Sequence, residues 1–466
     1  MGPKKDLLSP VLAAGQGLTF TEVSGVQLAV NTLVDDINEI PSYQYYGRVT
    51  AIQGMLVEVG GAERSLTIGA RCIIRARNGH NVPCEVVGFR DSRALLLPFE
   101  SVEGVGLGCR ADIGADAPTI RPTDRWLGRV INALGDPVDG KGALVSGLHG
   151  YRLRGSPPPA HARQPVGEKI DLGVRAINTF LSCCRGQRMG IFSGSGIGKS
   201  VLLSMLARYT KSDVTVIGLV GERGREVQEF IRHNLGPEGL ARSVVVVATS
   251  DESPLMRRQA AYTTLAVAEY FRDQGRDVLC LIDSITRFAM AQREIGLSAG
   301  EPPTTKGYPP SVFAELPRLA ERAGPGTGTG AITSLFTVLV EGDDHNEPIA
   351  DTLRGTLDGH IVLDRSIAER GRFPAINILR SVSRMMPTCN SDEENELVMK
   401  ARRYLARYED MAEMIRLGAY RPGTDPDVDD AIRYYPALER FLSQKNDEAS
   451  DLAAGYAALA EVFQDD

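Results

Sequence analysis

Eight residues, Ser193-Gly194-Ser195-Gly196-Ile197-Gly198-Lys199-Ser200, constrain this chain more than any other stretch. The apolar run Met189-Gly190-Ile191-Phe192 precedes them, and Val201-Leu202-Leu203-Ser204-Met205-Leu206 follows. A strand, a glycine-rich turn, Lys-Ser and a helix, in that order, make a phosphate-binding P-loop. Gly194, Gly196 and Gly198 have no Cβ to keep main-chain N–H groups from converging on phosphate oxygens. Lys199 supplies a mobile cation for the outer phosphates, and the Ser200 hydroxyl can hold Mg²⁺. Ser195, Ile197 and Val201 complete the nucleotide-binding stretch. The usual pattern begins with Gly, and Ser193 stands there as a small replacement.

Downstream, near-continuous apolar runs alternate with helical patterns: Val214–Val220, Val244–Ala248, Val278–Ile282 and Leu335–Val340. Runs this apolar suit parallel strands covered on both faces. Upstream, from Tyr46 to about Ile113, short β-rich runs alternate with Gly turns, as a small barrel requires. From about Asn390 the pattern is helical. Ser391-Asp392-Glu393-Glu394 fits a capping box. Leu397, Ala401, Tyr404, Tyr408, Met411 and Ile415 then lie on one helix face, and Gly418 is placed to end it. The expected fold class is α/β: a RecA-like P-loop core with an N-terminal small β-barrel and a C-terminal α-helical domain. Boundaries are expected at 1–42 for an N-terminal segment, 43–113 for the barrel, 114–385 for the core and 386–466 for the helical domain.

Length and composition agree with a soluble multidomain protein. A chain of 466 residues, 43% hydrophobic and 24% charged, has ample core. Net charge is -7, so no overall field attracts nucleic acid. The seven cysteines are odd in number and none form C-x-x-C, which fits buried free thiols in a reducing cytosol. No apolar run approaches the roughly 18 residues of a membrane span, so contact with a membrane is expected to be peripheral.

Further chemistry gathers at predicted strand ends. Leu279-Cys280-Leu281-Ile282-Asp283 ends an apolar strand in a carboxylate. Asp283 could cap the next helix, but a P-loop upstream favours a place beside the metal. Glu222 and Arg223 follow Val214–Val220 directly, at the edge where a parallel sheet meets its ligand. Glu222 could polarise a water and Arg223 could contact a γ-phosphate. Arg225 and Glu226 fit a solvated charge run or an interface. By local sequence alone, Phe373 fits a core position and Arg384 a surface charge. Gly324–Gly330 is glycine-rich but precedes a strand, so it reads as a flexible loop and not a dinucleotide fingerprint. The acidic stretch Glu341–His345 lacks EF-hand spacing, and the six His are scattered.

Several separate stretches match one family. They are Arg185–Phe192, Gly221–Val227, Ile282–Ala289, Gly300–Phe313 and Asp358–Leu363. Together they resemble the catalytic subunits of rotary ATP synthases and, more closely, the ATPases of type III protein export. Ser193, the Gly300–Phe313 wording and Ile415–Asp427 favour the export branch, and Gly418-Ala419-Tyr420 looks flagellar more than virulence-related. The resemblance implies a homohexamer hydrolysing Mg-ATP at its subunit interfaces to help unload, unfold and export flagellar proteins. Glu222 would be the catalytic carboxylate and Arg223 a γ-phosphate ligand. Asp283 would lie near Mg²⁺, Arg287 would line the site, and Phe373 would pack on adenine. Arg384 would be an arginine finger reaching a neighbour's nucleotide. Partners implied are a regulator on the N-terminal segment, a stalk protein in the ring pore, an export gate and chaperone–substrate complexes. The location implied is cytoplasmic, peripheral to the inner membrane. Rival readings are a virulence-type secretion ATPase, a rotary synthase subunit, an RNA-translocating hexamer and a scaffold with a vestigial site.

Overall fold

A computed structural model describes residues 45–114, 118–340 and 347–464. The expected N-terminal segment, 1–42, and the acidic stretch Glu341–His345 lie outside the described residues. Six strands, β1 (Tyr46–Gln53), β2 (Leu56–Gly60), β3 (Arg71–Arg75), β4 (Asn81–Arg90), β5 (Arg93–Pro98) and β6 (Arg110–Ile113), close a barrel. Around it the order is β1-β2-β5-β4-β3-β6, every pair antiparallel. Alternate side chains point inward: Val49, Val57, Val59, Ile74, Val82, Val86, Leu96 and Ala111 fill it. β3 and β6 are short strands whose arginines lie outward while Cys72, Ile74 and Ala111 point inward.

After the barrel come β7 (Thr119–Ile120), β8 (Arg129–Asn132) and β9 (Tyr151–Arg152), of which β7 and β9 pair with each other. The main sheet holds β8 and β10 (Arg188–Ser193), β11 (Val214–Glu222), β12 (Ser243–Thr249), β13 (Asp277–Asp283), β14 (Gly324–Pro325), β15 (Ala331–Leu339), β16 (Gly359–Leu363) and β17 (Val382–Ser383). Its order is β17-β16-β10-β15-β13-β11-β12-β8, with β14 beside β15. From β16 to β8 every neighbour is parallel.

Period-two alternation explains why these strands read as continuous apolar runs. On β13, Val278, Cys280 and Ile282 enter one core, while Leu279 and Leu281 enter the other. On β11, Val214, Val216 and Val220 face the first core, and Ile217 and Leu219 the second. The first core is covered by the helices Pro254–Asp273, Ile285–Ala299 and Pro310–Glu321; the second by Lys199–Tyr209 and the C-terminal helices. A parallel sheet buried on both faces leaves only its C-terminal edge free to hold a ligand.

The C-terminal helices span Asp392–Arg416, Pro426–Leu442 and Leu452–Glu461. The first opens on the expected capping box: Ser391 Oγ accepts from Glu394 N at 3.2 Å, and Ser391 N donates to Glu394 Oε2 at 2.9 Å. Gly418 follows its end with φ +68°. Stacking of Tyr404 on Tyr434 and of Tyr408 on Tyr435 joins the first helix to the second.

One expectation is corrected. Gly324–Gly330 is not a free loop but a tight hairpin: Gly324 and Pro325 pair antiparallel with Ile332 and Ala331. Gly330 lies so close to the end of helix Pro254–Asp273 that a Cβ there would sit 2.0 Å from the Arg272 carbonyl oxygen. Gly330 permits this close approach.

Buried charge joins the barrel to the core. Glu85 on β4 bonds Arg258 of the helix Pro254–Asp273, and both are almost fully buried. Arg71 on β3 stacks over Phe99 and donates to Gln259 at 3.0 Å. Among the described residues, no helix is long and apolar enough to cross a membrane.

Candidate active site

Strand β10 ends at buried Ser193, and the chain turns through Gly194–Gly198 into the helix Lys199–Tyr209. Gly196 (φ +77°) and Gly198 (φ +92°) are left-handed, so this turn requires glycine there. Ile197 is buried in the core beneath the loop, which anchors the turn. The loop wraps one side of a polar cavity of about 400 Å³. Gly194, Ser195, Gly196, Gly198, Lys199, Ser200 and Val201 line it from the loop and helix. Glu222, Arg223 and Arg287 line it from the neighbouring elements.

Strand order brings the charged groups together. Glu222 ends β11 and Asp283 ends β13, two adjacent parallel strands, so both carboxyls reach the same sheet edge. Lys199 bonds Asp283 and lies 3.4 Å from Glu222 Oε1. Asp283 sits behind the lysine, also accepting from Thr337 Oγ1 of β15 at 2.7 Å. Burial opposes the charge on Lys199, but Asp283 and Glu222 outweigh it and raise its pKa. Burial, followed by the Asp283 charge, pushes Glu222 up to about 7, partly offset by Lys199. A carboxyl with a pKa near neutrality is poised to exchange a proton at working pH.

Arg223 is exposed and pairs with Glu226 at 3.2 Å. Arg287 packs behind Gly221, where a Cβ would lie 2.9 Å from its own Cβ. Its Nε is buried without a hydrogen-bond partner among the described residues.

A second, more apolar cavity of about 780 Å³ adjoins the first and shares Gly198 and Val201 with it. Phe373, 46% exposed, forms one wall, its ring within 3.5 Å of where a Gly198 Cβ would sit. Residues 443–448 line it as well. Arg384 lines neither cavity. It is exposed, and its Nη2 donates to the Arg354 carbonyl at 2.9 Å.

Three participants escaped the sequence reading. Thr337 carried a signal, because a hydroxyl inside Leu335-Phe336-Thr337-Val338 must find a partner. Arg365, whose Nη2 donates to the Ser195 carbonyl at 3.1 Å, carried none. Neither did the 443–448 wall, which matches no motif and lies far along the chain.

The comparisons with known proteins converge. Residues 173–383 match the model of the ATP synthase alpha/beta family, nucleotide-binding domain. The flagellum-specific ATP synthase of Caulobacter vibrioides is 58% identical over 441 residues, covering 93% of this chain and 99% of that protein. The chain belongs to the ATP synthase alpha/beta family. Within the family it groups with the flagellum-specific ATP synthases; that of Salmonella typhimurium is 47% identical over 91% of this chain and 95% of its own length. Residues 390–461 match the T3SS EscN ATPase C-terminal domain. The assembled ATPase EscN from enteropathogenic E. coli superimposes with a TM-score of 0.84 at 40% identity, covering 89% of this chain and 99% of that one. Like its family, the chain is an ATP hydrolase, with the expected fold class of barrel, RecA-like core and C-terminal helices.

Proposed function

We propose that this chain is the ATPase of a flagellar type III protein export apparatus, working as a ring of six identical copies with Mg-ATP at each junction. One observation carries the ring: the phosphate-binding cavity is assembled within one chain, while Arg384 stands exposed and away from it. In this reading Arg384 completes the site of a neighbouring copy. The names of the relatives support the flagellar assignment. EscN is described both assembled and in complex with its central stalk EscO, which supports self-assembly here and a stalk partner in the pore.

In this reading the P-loop amides from Gly194 to Val201 cradle the phosphates. The hard-oxygen donors Ser200 and Asp283 suit Mg²⁺, which commonly takes one or two protein oxygens beside substrate phosphates. The ion would supply charge neutralisation between phosphate groups. Lys199 and Arg223 neutralise charge on the γ-phosphoryl group, with Arg223 turning from Glu226 towards it. Glu222 orients the attacking water and accepts its proton. Arg287 lines the phosphate side, and Phe373 packs on the adenine. The export gate, chaperone–substrate complexes and a regulator on the N-terminal segment are further partners of this reading, with a cytoplasmic location peripheral to the inner membrane.

Arg384→Ala should keep ATP binding and lose hydrolysis by about 10³-fold or more in assembled protein. Mixing it with Lys199→Ala should restore part of the turnover, because each variant then lends the other the missing half. Full turnover by Arg384→Ala alone would sink the ring assignment. Loss of the protein should abolish flagella and leave cellular ATP synthesis intact; the reverse outcome would make it a rotary synthase subunit.

A further inference from the structure

The loop 443–448, between the helices Pro426–Leu442 and Leu452–Glu461, has no regular structure, yet it forms a whole wall of the apolar cavity. An untethered loop would make a poor wall, because its ordering would oppose binding. Gln444 supplies the tether. Its side chain is 6% exposed, and its amide is bonded on both ends. Oε1 accepts from Arg175 N at 2.7 Å. Nε2 donates to the Gly173 carbonyl at 2.9 Å and to the Glu448 carbonyl at 2.8 Å. Its own main-chain N–H donates to the Phe373 carbonyl at 2.9 Å. One residue therefore joins Phe373, the start of the helix Arg175–Phe180 and the far end of its own loop.

The loop is also pinned to the P-loop helix. The Asn446 carbonyl accepts from Arg208 Nη2 at 2.8 Å and from Tyr209 OH at 3.1 Å. Both residues end the helix whose first turn cradles phosphate. The separation of the base slot from the phosphate cradle is thereby fixed before a nucleotide arrives.

We infer that Gln444 is a positioning residue for the base of the nucleotide, holding the 443–448 wall in place with Phe373 around one cavity so that affinity, and not the chemical step, depends on it. This rests on the reading that the apolar cavity receives the base. The base takes no part in phosphoryl transfer, so a loosened wall raises KM and spares kcat.

The test uses the full assembled chain. Gln444→Leu keeps similar volume and removes the three side-chain bonds. KM for Mg-ATP should rise about 5- to 10-fold with kcat within about twofold. Inhibition by inorganic tripolyphosphate, which has no base, should keep its wild-type constant. An unchanged KM, a fall in kcat at constant KM, or equal weakening of ATP and tripolyphosphate would each overturn the inference. Glu448→Ala releases the loop from Arg175 at a half-exposed position and should raise KM about 2- to 3-fold. Should Gln444→Leu not fold, this variant carries the test, and a wild-type KM overturns the inference. Phe373→Ala separates the two readings. If it weakens ATP while Gln444→Leu does not, the role of Gln444 alone falls; if it leaves KM unchanged, the base slot itself is wrong.

Discussion

Lys199 is held between two carboxyls, and a nucleotide's outer phosphates must compete with them for it. The same arrangement keeps Glu222 protonatable near neutrality, since burial and Asp283 oppose its charge. Glu222→Gln preserves shape and removes the proton acceptor. It should retain ATP binding and lower single-turnover hydrolysis by about 10²–10⁴-fold; more than a tenth of the wild-type rate would assign the proton to another group. Lys199 was legible because it closes the P-loop at the start of a helix, and Glu222 and Asp283 because each ends an apolar strand. Thr337 announced only that it needed a partner, and Arg365 announced nothing, because a contact between residues far apart in sequence leaves no local pattern. Phe373 lay between: nothing around it points to a ligand until residues 443–448 are seen lining the same cavity.

At the scale of the element, strands with both faces buried were the easiest to read. The runs in β11, β12, β13 and β15 need no polar face, so their sequences are nearly unbroken. Barrel strands gave weaker signals, because a strand with one outward polar face alternates instead of running unbroken. The capping box at Ser391 was legible because both of its bonds are set by a four-residue spacing. At the far edge of the sheet, β8 is secured by its own turn. Asp139 accepts from Arg129 Nε at 2.7 Å and Nη2 at 2.9 Å, from Val130 N at 3.0 Å and from Lys141 N at 3.0 Å. The Arg129 bond, ahead of the opposing effect of burial, holds this carboxyl well below its usual 3.8. A depressed carboxyl stabilises the fold above its unfolded pKa and loses that contribution as pH falls through the folded value. Asp139→Asn should therefore unfold at lower urea than wild type at pH 7, and the gap should narrow once pH drops below about 4. A gap constant from pH 7 to pH 3 would mean that the shape of the turn matters and its charge does not.

Across the whole molecule, the joint between barrel and core sets a buried ion pair beside apolar contacts from Leu56, Leu95, Leu97 and Phe99. Glu85 and Arg258 are 2% and 3% exposed, and removing Arg258 leaves the buried Glu85 with only Arg71, at 3.9 Å, as a counter-charge. Arg258→Ala should cost about 3–5 kcal/mol in denaturant unfolding; a loss under about 1 kcal/mol would show that water or Arg71 takes over the pairing. The fold class was legible at this scale because each part has its own periodicity. This joint was not, since its partners lie on a barrel strand and a core helix with no shared motif. The outward stance of Arg384 has a consequence in counting. On the proposed role of Arg384 in a neighbour's site, an open arc of copies has one junction fewer than it has chains, so its two end members leave one nucleotide site and one arginine unmatched. Closing the arc adds a working junction without adding a chain. Turnover per chain thus rises with arc length and steps up at closure, and a dispersed pool of this protein would leave cellular ATP almost untouched.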